Sequence, residues 1–200
     1  MFLHYQSEVQ QLEQRRQENP PPSDVVAFYG SSSIRLWETL KDDFAETPVI
    51  NLGFGGSTLA ACAYFFPRLV VPVAPRSLIC YAGENDIGDG LLPDAVVGAF
   101  RDLHRQVSEQ LSDAPFAYLA IKPSPGRWQH IQRIRETNRR IAELIGERPN
   151  SYFLDVHTPM LNDDGKPRRE LWAEDGVHMS SLGYRVWWQV LMAHRRSLGI

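Results

Sequence analysis

From about residue 25 onward, short unbroken apolar runs alternate with longer stretches in which apolar residues recur every three or four positions. Val25-Val26-Ala27-Phe28-Tyr29 is continuous, β-branched and aromatic, and it stops at Gly30, which predicts a strand. Residues 48–52, 77–81, 116–121 and 152–156 predict four more. Runs without polar alternation suit strands covered on both faces, as in a parallel sheet. Between them, Val96, Phe100, Leu103, Val107 and Leu111 make one helical stripe. Ile131, Ile134, Asn138, Ile141 and Ile145 make a second, and Leu182, Val186, Val190 and Leu191 a third. This rhythm predicts an α/β domain of right-handed βαβ units, a three-layer α/β/α sandwich around a five-stranded parallel sheet.

Residues 4–18 predict a separate amphipathic helix with Tyr5, Val9 and Leu12 on one face, broken by Asn19-Pro20-Pro21-Pro22-Ser23. The chain thus reads as one domain, 1–200, whose first 22 residues are a helix and a Pro-rich connector. The helix packs on the domain's flank or serves as a dimerisation arm, so a homodimer stays open. Two hundred residues bury a sizeable core without disulfides or metal. The two cysteines, Cys62 and Cys80, sit in apolar surroundings and read as small buried hydrophobes. A net charge of -3, from 24 acidic and 21 basic residues mixed along the chain, gives no reason to expect nucleic acid or an anionic membrane as partner. No apolar run approaches a membrane span and the start lacks a basic leader region, so a cytoplasmic protein is expected.

Parallel sheets of this kind bind ligands at the carboxyl ends of their strands, so the functional question rests on the residues just past each strand end. The first strand runs into Gly30-Ser31-Ser32-Ser33-Ile34-Arg35, where a serine hydroxyl lies at the edge with the positive end of a following helix beneath it, or where the serines merely cap that helix. The second ends in Gly53-Phe54-Gly55-Gly56-Ser57. Thr58 stands where a dinucleotide fingerprint needs glycine, and no Gly-Lys-Ser/Thr phosphate loop is present, which leaves a ligand-approaching backbone or a plain turn. The third ends in Gly83-Glu84-Asn85-Asp86, whose asparagine is an uncharged donor suited to an oxyanion, or a turn-former. Before the last helix comes Asp175-Gly176-Val177-His178, a base and a carboxylate to fix its tautomer within one turn.

Taken together, these blocks resemble those of the SGNH, or GDSL-like, hydrolases, which carry Ser, Gly, Asn and His in this order. The resemblance runs from about Val25 to Trp188 and is similar to a bacterial esterase-type branch of that family, with its flavodoxin-like fold. It implies a serine esterase with Ser32 as nucleophile and Asp175 and His178 completing a triad. It also implies an oxyanion hole formed by Ser32, Gly56 and the Asn85 side chain. The family's usual Gly-Asp-Ser is Gly30-Ser31-Ser32 here, so Ser31 and Ser33 flank the candidate. No metal or organic cofactor is implied, and the expected partner is a small-molecule ester. An acyltransferase using the same residues, and a catalytically inactive carbohydrate-binding relative, are the alternatives. Arg127, in the loop after the fourth strand, is a candidate contact for an anionic part of a substrate, and His157 a rival base after the fifth. Of the adjacent Trp187 and Trp188, one is expected in the core and one at the surface.

Overall fold

Every residue except Met1 and Ser112 is described by the computed structural model. Strands β1 (Val26–Gly30), β2 (Val49–Gly53), β3 (Ser77–Tyr81), β4 (Phe116–Leu119) and β5 (Ser151–Leu154) form one sheet in the order β2-β1-β3-β4-β5. All neighbouring pairs are parallel. The helices are α1 (Gln6–Glu18), α2 (Ser32–Arg35), α3 (Leu40–Asp43), α4 (Leu59–Leu69), α5 (Glu84–Gly88), α6 (Pro93–Gln110), α7 (Ile131–Ile145), α8 (Ser181–Ala193) and α9 (Arg195–Leu198).

The inner strands β1, β3 and β4 are buried at every position, as continuous apolar runs require. The edge strands β2 and β5 are half-buried over three residues each. One core, with Val9, Phe54, Phe65, Phe66, Phe100 and Ile141, lies on one face of the sheet. A second, with Phe28, Trp37, Phe44, Tyr81 and Trp187, lies on the other. The predicted stripes on α6 and α7 are both buried. The polar member of the second, Asn138, extends the sheet's bonding: its Oδ1 accepts from the Ile121 N–H at 2.8 Å and its Nδ2 donates to the Ile121 carbonyl at 2.9 Å. That pairing takes over where β4 leaves the ladder, two residues before the predicted end.

The stripe on α8 is rotated from its expected place. Leu182 is 47% exposed, and the inward face is Gly183, Tyr184, Val186, Trp187 and Leu191. The start of α8 lies so close to the Leu171 carbonyl that only glycine fits at 183, which turns Leu182 outward. Trp187 is fully buried, and half-buried Trp188 donates its Nε1–H to the Asp43 carbonyl at 2.9 Å. At the other end of the chain, α1 begins after a short 3-10 turn and packs on the flank through Tyr5 and Val9, clamped to α4 by a two-bond Glu13–Arg68 pair. Cys62 and Cys80 are free and buried, and burial pushes both thiols upward in pKa. Among the described residues no helix is long and apolar enough to cross a membrane.

β1 ends at Gly30 with φ +136°, and a Cβ there would lie 1.8 Å from the Tyr81 carbonyl oxygen. Gly30→Ala should therefore destabilise the fold by about 3 kcal/mol or more, through strain and overpacking combined. Urea denaturation checks this; a wild-type midpoint would show that β1 and β3 do not approach so closely.

Candidate active site

The chain builds outward from β1 in both directions, so the strand order reverses between β1 and β3, where an open α/β sheet leaves a crevice at its carboxyl edge. The Ser31–Ser33 run leaves β1 at that crevice, and the Glu84–Asp86 run leaves β3 beside it. The three serines are sorted by burial. Ser31 and Ser33 are 3% and 2% exposed. The Ser31 carbonyl accepts from the Ile34 and Arg35 N–H groups, and the Ser33 carbonyl accepts from the Tyr184 hydroxyl at 3.0 Å. Half-buried Ser32 has its Oγ 3.1 Å from His178 Nε2. The expected helix beneath it is shorter than a macrodipole argument needs. α2 is a single turn, so any positive character comes from the first few N–H groups.

His178 is held from behind. Its Nδ1 lies 2.5 Å from Asp175 Oδ2, and the other oxygen of that carboxylate accepts the backbone N–H groups of Val177 and His178 at 2.8 and 2.9 Å. These two backbone donors, that of His178 first, draw the Asp175 pKa down to about 2, and the His178 ring adds to their effect. With Nδ1–H directed to an ionised carboxylate, Nε2 is the acceptor facing the Ser32 hydroxyl. The loop itself is closed by Ala173 N–H to the His178 carbonyl and by Gly126 N–H to the Gly176 carbonyl, at 2.9 and 2.8 Å.

Gly56 is exposed with φ +68°, and open space surrounds the position of a Cβ. Its N–H, like that of Ser32, meets no acceptor among the described residues. Half-buried Asn85 gives one Nδ2 hydrogen to the Ser57 carbonyl at 3.1 Å and keeps the other. Buried Asp86 accepts the Leu59 N–H with both oxygens at 3.1 Å, and burial raises its pKa to about 6. Two supports come from α1 and the turn before it. Glu8 accepts the Gly55 N–H at 2.8 Å, and the Tyr5 hydroxyl donates to the Gly56 carbonyl at 2.9 Å. Sequence reasoning missed both, because the only signal was a buried tyrosine one turn before a glutamate on a helix far away in the chain.

His157 lies outside this arrangement. It is buried with Nδ1 on the Ile121 carbonyl at 2.9 Å, and burial lowers its pKa. Arg127 is half-buried across Gly88, one turn after Asn85, and its buried Nε has no hydrogen-bond partner among the described residues.

The sequence model of the GDSL-like lipase/acylhydrolase family matches residues 24–186. The chain belongs to that family. This GDSL-like hydrolase acts, by class, on ester bonds. It is 26% identical over 168 residues to the platelet-activating factor acetylhydrolase IB subunit alpha1 of Bos taurus, a match covering 80% of this chain and 69% of that protein. Its structure is similar to that of a GDSL-like lipase from Bacteroides thetaiotaomicron, with a TM-score of 0.81 and 20% identity over 95% of this chain and 98% of the other. It is also similar to a family 3 carbohydrate esterase from Clostridium thermocellum, with a TM-score of 0.68 and 15% identity over 88% and 98%.

The folded Asp175 titrates near 2 and an unfolded aspartate near roughly 3.9, so its stabilising effect is complete above about pH 4 and is lost as pH falls toward 2. Wild type should exceed Asp175→Asn in stability at neutral pH, with the gap closing over that acid window. Urea midpoints taken across pH measure it, and a gap independent of pH would mean that the carboxylate is not held in this way.

Proposed function

We propose that this GDSL-like hydrolase is a serine esterase that cleaves short-chain carboxylic esters through an acyl-Ser32 intermediate. The observation that carries the reading is the position of His178, its Nδ1 on Asp175 at 2.5 Å and its Nε2 on Ser32 at 3.1 Å. Neutral His178 takes the Ser32 proton as Oγ attacks the ester carbonyl, and Asp175 stabilises the imidazolium that forms. The free N–H groups of Ser32 and Gly56, with the remaining Asn85 hydrogen, receive the tetrahedral oxyanion. The imidazolium then protonates the leaving alcohol, and water, activated by the same histidine, releases the acid.

A short acyl group is favoured because the bovine relative bears the name of an acetylhydrolase. The site is also open, with the His178 and Asp175 side chains 34% and 50% exposed. Arg127, a partly buried cation beside the Asn85 helix whose Nε has no hydrogen-bond partner among the described residues, is the group that would meet an anionic portion of the substrate. A catalytically inactive relative would not need the serine, histidine and aspartate in bonding range of one another.

The purified chain should hydrolyse p-nitrophenyl acetate, and a fluorophosphonate should label Ser32. Label on Ser31 or Ser33, or full turnover in Ser32→Ala, would overturn the assignment. Asn85→Ala should lower kcat by about 10²–10³ with KM little changed and the fold intact. If Asn85 were only a turn residue, Tm would fall and kcat would stay. Arg127→Gln should raise KM for an ester bearing a carboxylate and leave p-nitrophenyl acetate unaffected; equal effects on both would remove Arg127 from the substrate site.

A further inference from the structure

An ion pair lies buried behind the reaction centre and takes no part in the acyl-transfer steps. The apolar run through β4 ends in Lys122, which is fully buried, and its ammonium meets the carboxylate of buried Glu84. Lys122 also donates to Ser124 Oγ at 3.0 Å and to the Val177 carbonyl at 2.8 Å. Ser124 donates in turn to Glu84, and the Tyr81 hydroxyl approaches the same carboxylate at 3.2 Å. The rings of Tyr81 and Trp172 flank the ammonium at 5.7 and 5.6 Å. All three ammonium hydrogens have acceptors.

Such a pair is weak evidence for stability, because desolvating two charges offsets most of their attraction. Its attachments point to another role. Glu84 directly precedes Asn85 on α5, so the carboxylate end of the network sits in the turn that carries the side-chain oxyanion donor. Val177 lies between Asp175 and His178, so the ammonium end holds the loop that carries the base. Those two segments are far apart in sequence, and one buried ammonium joins them.

We propose that the Glu84–Lys122 pair is a positioning device that holds the Asp175–His178 loop and the Asn85 turn in one frame. This rests on the esterase reading for its catalytic consequence, not for its structural one. Without the Lys122 donor, the Val177 carbonyl loses its anchor and the loop is free to draw His178 away from Ser32. A displacement of about 1 Å at a reacting group costs on the order of 10²-fold in rate.

Lys122→Met alone leaves Glu84 buried without its cation and can cost the fold, so the test uses Lys122→Met with Glu84→Gln, which removes both charges and keeps the volumes. Two quantities are measured on the full chain at a temperature well below Tm. The first is amide hydrogen exchange. Val177 and His178, whose N–H groups donate to Asp175, should exchange about tenfold faster or more, while amides of β1 and β3 keep wild-type rates. The second is turnover of p-nitrophenyl acetate, where kcat should fall about 10–100-fold with KM within about threefold of wild type. Wild-type exchange at Val177 and His178 together with wild-type kcat would overturn the proposal. So would loop exchange that rises only in step with the core. A wild-type protein without esterase activity would remove the proposed function, and the exchange comparison would still decide whether the pair holds the loop.

Discussion

Where β1 ends, the Gly30 Cα lies so near the Tyr81 carbonyl that no side chain fits between the two strands. The Ser31 N–H then takes that same carbonyl at 2.9 Å, which sets the direction in which the chain leaves β1. Ser32 consequently appears at the crevice, and Tyr81, two residues before Gly83, fixes where α5 starts. The hydroxyl and the Asn85 segment are thus both referenced to one contact between neighbouring strands. Elements farther along the chain, including the Asp175–His178 loop, have to be brought to that point by other bonds.

Those bonds are mostly made to backbone groups. Asp175 is ionised by two N–H donors of its own turn, Asp86 caps the start of α4, and Lys122 ends on a carbonyl. Polar side chains placed this way fix loop geometry without depending on long, flexible partners. It also explains why the acidic groups around the crevice behave so differently. Asp175, half exposed and richly donated to, is held charged, while Asp86, sealed from water, is pushed toward neutrality.

The layered architecture and the placement of the serine, glycine and Asn85 segments at strand ends are legible in the sequence because both obey short-range rules. Apolar runs such as Val25–Tyr29 announce covered strands, and Gly30, Gly83 and the Asp175–His178 spacing mark strand ends and turns locally. Less legible were features set by distant contacts. Leu182 fitted a helical stripe, but the Leu171 carbonyl decides which way α8 faces. The residues alone do not separate the three serines; the family resemblance implies Ser32, and in the fold Ser31 and Ser33 are the buried ones. Lys122 directly follows the apolar run 116–121, yet its partners, Glu84 and the Val177 carbonyl, lie 38 and 55 residues away.

The grip of the first turns of the chain on the glycine loop bears on what counts as the working unit. The family's shared sequence begins at residue 24, yet the Gly55 N–H and the Gly56 carbonyl are bonded by Glu8 and Tyr5, upstream of that boundary. The stretch shared with the family is therefore not the whole of what shapes the glycine turn. A piece trimmed to the shared region would keep all five strands, but its glycine turn would lose the bonds from Glu8 and Tyr5, and the core would lose Tyr5 and Val9.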